Sequence, residues 1–163
     1  MKHNAPPIVG SMDFLAMQNE FILVEMDNNG DIFHLLREPL SGKININFSA
    51  ALELEQTPDF DFSRTVIVKA KSVYSIFNAV KSMPPEYAAA YDYLIIDRID
   101  MMDNELSPRE RGSQQAAFIS MIAAPQFLKG KNVIVTSANK ELSIRKRASS
   151  FFDLRNFREQ SQS

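Results

Sequence analysis

Gly42 and Lys43 stand between two apolar segments, within Arg37-Glu38-Pro39-Leu40-Ser41-Gly42-Lys43-Ile44. A glycine-lysine pair between a strand and a helix is the core of the phosphate-binding pattern G-x-x-x-x-G-K-[ST]. A helix that starts after Gly42 aims free amides and the positive end of its dipole at a bound anion, and Lys43 neutralises phosphate charge. ATP and ADP are the ligands such a loop takes. The pattern is incomplete, however. Its first glycine position holds Arg37, and its final hydroxyl position holds Ile44, which cannot ligate magnesium. The plainer alternative is a tight Ser41-Gly42-Lys43 turn with a solvated lysine.

Two further segments place polar residues at the ends of apolar runs. In Leu94-Ile95-Ile96-Asp97-Arg98-Ile99-Asp100, Asp97 follows a buried-strand pattern and is placed to hold magnesium if a magnesium nucleotide binds. No other metal ligand is expected. A water-orienting carboxylate is wanted next, and the residue there is Arg98. The plainer reading is that Asp97 caps the strand or pairs with Lys43. In Val133 to Asn139, the residues Thr136, Ser137 and Asn139 are candidates to touch a terminal phosphate or its attacking water. Alternatively, Ser137 or Asn139 caps a helix start. Arg145-Lys146-Arg147, with Arg155 and Arg158 beyond, gives Arg145 and Arg147 as candidates to reach a neighbouring subunit or a nucleic-acid backbone. A solvated helix face is the commoner use of such a run.

The elements that must position these residues alternate at short spacing. Ser11 caps a helix expected to run to Met26. Phe21–Met26 is also readable as a strand before an Asn29-Gly30 turn. A strand over 31–36, the loop Arg37–Lys43 and a helix over 44–55 follow. Strands are expected at 65–70, 92–97 and 132–136, and helices at 73–82, 113–124 and 140–152. The Phe151-Phe152 pair reads as core. The alternation predicts an α/β domain with a mainly parallel sheet covered on both faces. A short arm at 1–10, one domain over 11–155 and a frayed tail at 156–163 are expected.

Composition narrows the classes. The 163 residues are 45% hydrophobic and 23% charged, with formal net charge -2 and no cysteine. That excludes a disulfide scaffold and gives no global attraction to nucleic acid or to an anionic membrane. The chain holds His3 and His34 and no other histidine, so an imidazole metal site is not expected. No apolar run approaches the ~20 residues of a membrane helix. A cytoplasmic location is expected.

In order, these segments resemble the AAA+ base domain of the bacterial replication initiator DnaA, its regulator Hda and the DnaC-type helicase loaders. Val9-Gly10-Ser11 corresponds to the segment before the helix over the nucleotide base. Arg37–Ile44 corresponds to Walker A, Leu94–Asp97 to Walker B, and Thr136–Asn139 to sensor 1. The resemblance covers roughly residues 8 to 152. It implies a three-layer P-loop NTPase-like fold without the helical lid domain. It also implies a nucleotide site of Gly10, Ser41, Gly42, Lys43, Asp97, Ser137 and Asn139. The departures at Arg37, Ile44 and Arg98, and Ser149-Ser150-Phe151 where an arginine finger is usual, imply that turnover is lost. The expectation is then a non-enzymatic adaptor or regulator of replication initiation that binds a protein partner or itself. The alternative is a nucleotide-dependent switch, or a loader-type ATPase completed by a partner subunit.

Overall fold

The computed structural model describes residues 21–26, 43–50, 62–124 and 130–153. The arm, the frayed tail, the strand at 31–36, and Gly10, Ser41 and Gly42 lie outside them. In chain order the elements are β1 (Phe21–Glu25), β2 (Asn45–Ser49), β3 (Thr65–Lys69), α1 (Val73–Lys81), α2 (Pro85–Ala88), β4 (Tyr93–Asp97), α3 (Pro108–Ile122), β5 (Asn132–Ser137), α4 (Leu142–Arg145) and β6 (Ser150–Asp153). The strands form a six-stranded sheet in the order β3-β2-β4-β5-β1-β6. Every pairing is parallel.

Parallel strands buried on both faces need apolar side chains on both faces, and the inner strands supply them. Leu23, Phe48, Leu94, Ile96, Val133 and Val135 point to the face covered by α1, α3 and α4. Ile22, Val24, Ile95, Ile134 and Phe152 point the other way and are equally buried. Fully burying one such aliphatic chain stabilises the fold by about 1.5–3 kcal/mol. The α1 helix is fixed locally as well. Ser72 accepts the Ser75 amide at 3.1 Å, and Val73, Ile76, Phe77 and Val80 form the buried stripe. The α3 helix begins at Pro108, ahead of the expected start at 113. Ser107 accepts the Glu110 amide at 3.3 Å and donates to Glu110 Oε1 at 2.8 Å, a reciprocal cap within Ser-Pro-Arg-Glu.

Three expectations are corrected. Phe21–Glu25 is a strand, where a helix was expected to run to Met26. It lies between β5 and β6, so its apolar run is buried on both sides and its backbone is spent on two ladders. The helix expected over 44–55 begins instead as β2. Ile44, Ile46 and Phe48 alternate with Asn45, Asn47 and Ser49, which is the period of a strand. The helix expected over 140–152 is shortened to α4, and Ser150–Asp153 leaves it to pair with β1.

Candidate functional site at the carboxyl edge of the sheet

The strand order reverses around β1. The chain goes from β1 across β5 and β4 to β2, then returns to place β6 on the other side of β1. In open parallel sheets, ligands bind outside the carboxyl ends of the strands at such a point. The residues there are Glu25 on β1, Ser49 on β2, Asp97 on β4, and Thr136 and Ser137 on β5. All five are buried.

Asp97 and Thr136 form the first group. They end neighbouring strands and point to the same face. Thr136 Oγ1 donates to Asp97 Oδ1 at 2.8 Å. The same hydroxyl oxygen accepts the Arg98 amide at 2.7 Å. Arg98 has φ 60 and ψ 60, a left-handed conformation that costs a non-glycine residue roughly 1–2 kcal/mol. Such strain persists only where surrounding bonds over-determine it, and it gathers at functional sites. Here the Thr136 bond holds the Arg98 backbone, while the guanidinium makes paired bonds to Asp100 at 3.0 and 2.8 Å. Burial pushes the Asp100 carboxyl up. Hydrogen bonds from Arg98 and the Ala138 amide outweigh that and bring it below its ordinary 3.8.

The second group lies on the opposite face, under α4. Glu25 is fully buried at the end of β1. It accepts Arg145 Nε at 2.7 Å, Arg145 Nη2 at 2.5 Å and the Glu141 amide at 3.0 Å. Ser137 Oγ donates to Glu141 Oε2 at 2.6 Å and accepts the Asn139 amide at 3.0 Å. Desolvation raises the Glu141 carboxyl above its ordinary 4.5, and the Ser137 bond offsets part of that. Arg145 also lies over the Phe151 ring, 4.3 Å from its centroid.

Asp97, Thr136 and Ser137 therefore do meet at one edge. Asn139 is exposed beside them. Lys43 does not join them. It precedes β2, and Ile44 beside it donates its amide to Asp92 Oδ2 at 3.0 Å, at the amino end of β4. In register, Ser49 stands opposite Asp97. Lys43 is six residues before Ser49, so at about 3.3 Å per residue it is roughly 20 Å away along the strand. Lys43 cannot share a phosphate with Asp97 across that distance. Arg145 is committed to Glu25 of its own chain, which removes it as a finger for a neighbour. Arg147 is exposed on the turn before β6.

Glu25 and Glu141 went unrecognised in the sequence. A charge closing the run Phe-Ile-Leu-Val-Glu is the signal that marks Glu25, and only the strand reading of 21–25 exposes it. Among the described residues, no group of three histidine, cysteine or acidic side chains is placed to hold a metal ion. Magnesium in nucleotide sites is usually held by one or two carboxylates together with substrate phosphates and waters. Asp97 beside a threonine hydroxyl fits that donor set.

The all-parallel sheet with its polar groups gathered at the carboxyl edge is an α/β fold, and its likeness to a solved structure makes that fold P-loop NTPase-like. Among solved structures, the chain is similar to the crystal structure of KaiC-like protein PH0186 from the hyperthermophilic archaeon Pyrococcus horikoshii OT3. The TM-score is 0.56 at 12% identity, over 80% of this chain and 68% of that chain. No protein-family model matches the chain. No curated protein matches it either.

The expectation of a non-enzyme is overturned. It rested on the departures at Arg37, Ile44, Arg98 and Ser149-Ser150-Phe151 together, and Lys43 of the first of these segments lies just before β2 at the amino edge of the sheet. The chain shares its fold with a KaiC-like protein, and the reading as a non-enzyme is not kept. No helix among the described residues is long and apolar enough to cross a membrane.

Proposed function

We propose that this chain is a nucleotide-dependent switch or ATPase of the P-loop type, binding ATP or ADP at the carboxyl edge between β1, β4 and β5. The observation that carries this reading is the Asp97–Thr136 pair at the ends of adjacent buried strands. Asp97 would hold magnesium on the phosphates, and the bound ion would polarise the terminal phosphoryl group. Thr136 fixes the Asp97 carboxylate in orientation. Through the Arg98 amide it also fixes the turn that leaves β4. Ser137 and Asn139 line the same edge. Arg98 stands where a water-orienting carboxylate is usual, so a partner protein or a second copy completing the site is part of the proposal. The order of segments in the sequence supports a setting in bacterial replication initiation or helicase loading.

Titration calorimetry tests the reading. Magnesium-ATP and magnesium-ADP are expected to bind saturably to the wild-type chain. Asp97→Asn is expected to weaken binding in magnesium far more than in EDTA. No saturable heat up to millimolar nucleotide would remove the proposal.

A further inference from the structure

The β3 strand ends the sheet, and no described strand pairs with its outer side. The Ala70 amide donates to Ser49 O at 2.9 Å, so even-numbered residues turn their backbone groups toward β2. In a parallel strand the alternate residues point the other way. The N–H and C=O groups of Thr65, Ile67 and Lys69 therefore lie along the edge that no described strand covers.

Natural edges of this kind are usually short, bulged or covered, because an open apolar edge is a template for another strand. This edge is apolar on both faces. Val66 is 54% and Ile67 42% exposed, and their side chains point to opposite faces of the sheet. The charges described along and beside this strand are cationic. From Ser63 to Pro85 the sequence contains Arg64, Lys69, Lys71 and Lys81 and no acidic residue. Arg64, Lys69 and Lys71 are exposed around the strand.

We propose that the outer edge of β3 is a docking site for an extended acidic peptide segment of a partner protein. That segment adds to the sheet as a further strand. Main-chain bonds to Thr65, Ile67 and Lys69 supply the attachment, and alternating apolar side chains of the peptide cover Val66 and Ile67. The charges choose the occupant. A second copy pairing edge to edge, antiparallel about Ile67, gathers Arg64, Lys69 and Lys71 of both copies along one seam, and like charges close together across a strand pair are destabilising. An acidic strand meets opposite charge at the same positions. This proposal is independent of whether nucleotide binds.

The test uses a fluorescein-labelled synthetic peptide of alternating Val or Ile with Asp or Glu, titrated with the full chain and followed by anisotropy. Its counterpart carries Lys in place of each acid. The acidic peptide is expected to bind saturably and the basic one not. The K69E/K71E double variant is expected to weaken binding roughly tenfold, as two attractions become repulsions. Ile67→Pro is expected to abolish binding with the circular-dichroism spectrum kept, because the Ile67 amide faces away from β2. If Ile67→Pro does not fold, the double variant and the charge-reversed peptide decide. Equal binding of the two peptides, no binding of either, or binding untouched by the variants would overturn the proposal. So would a concentration-dependent dimer that Ile67→Pro dissolves, which would assign the edge to a second copy.

Discussion

The Glu25–Arg145 pair joins β1 to α4 at the point where the strand order reverses, and its two halves should respond unequally to mutation. The Glu25 side chain is fully buried, whereas the Arg145 side chain is 25% exposed. Replacing Arg145 by Met strands a carboxylate in the interior with the Glu141 amide left from the bonds described, and also takes a cation from the Phe151 ring. Breaking a buried pair in that direction costs about 3–5 kcal/mol. Replacing Glu25 by Gln leaves an arginine that can turn toward water and a neutral amide that can still accept the Glu141 N–H. That loss is closer to an ordinary charged hydrogen bond, about 1.5–3 kcal/mol. The double variant removes both charges together and should recover part of the Arg145→Met loss. Urea unfolding at pH 7, with the two singles and the double, measures all three. In a chain of this size each kcal/mol moves Tm by about 2–4 °C, so the more severe variant should lose about 6–20 °C. A Glu25→Gln cost equal to or above that of Arg145→Met would refute the reasoning. So would two singles both within ~0.5 kcal/mol of wild type, the usual range for surface changes.

Other consequences are sharp enough to check. Asn47 is fully buried on β2 and its side-chain amide has no hydrogen-bond partner among the described residues, so Asn47→Leu should stabilise by about 1–3 kcal/mol, and a lowered Tm would contradict this. The Glu141 carboxyl is raised above 4.5 in the folded chain, so its protonated form favours folding and that contribution is lost as pH rises from about 4.5 through the folded value. Glu141→Gln should therefore flatten the fall in stability above pH 4.5, whereas an unchanged profile would remove Glu141 as its source. The Asp100 carboxyl is lowered below 3.8, so its contribution is present above that pH and lost as pH falls below it. Asp100→Asn should remove that acid-side loss, seen in the same unfolding series. Lys43→Ala should leave magnesium-ADP affinity within about twofold of wild type, because Lys43 lies at the opposite edge of the sheet. A collapse of affinity would return the phosphate loop to Gly42-Lys43.

What the sequence reveals follows from how local each cause is. Thr65–Lys69, Tyr93–Asp97 and Asn132–Ser137 are short β-branched or aromatic runs bounded by turn residues, and all are strands. The α1 stripe and its Ser72 cap are likewise set within a dozen residues. β1 was ambiguous because a strand buried on both faces shows no alternation and matches a buried helix segment. β2 was hidden because its alternating positions are Asn45, Asn47 and Ser49, polar residues that the fold nevertheless buries. The Gly42-Lys43 pair then drew the helix reading over them. At the site, Asp97 and Thr136 were both visible as polar ends of apolar strands. Their contact depends on β4 and β5 being neighbours. Glu25 could not be read in the same way. Its partner Arg145 lies 120 residues away and, taken locally, belongs to a solvated basic run.

The most direct test asks where a nucleotide lands. Manganese-ADP added to the isotope-labelled chain broadens the amide signals of residues close to the metal. We expect loss of the Asp97, Arg98, Thr136, Ser137 and Ala138 signals, with Ile44, Tyr91 and Asp92 at the amino edge kept. Broadening centred on Ile44 and Asp92, or spread evenly over the sheet, would contradict a nucleotide site at the carboxyl edge.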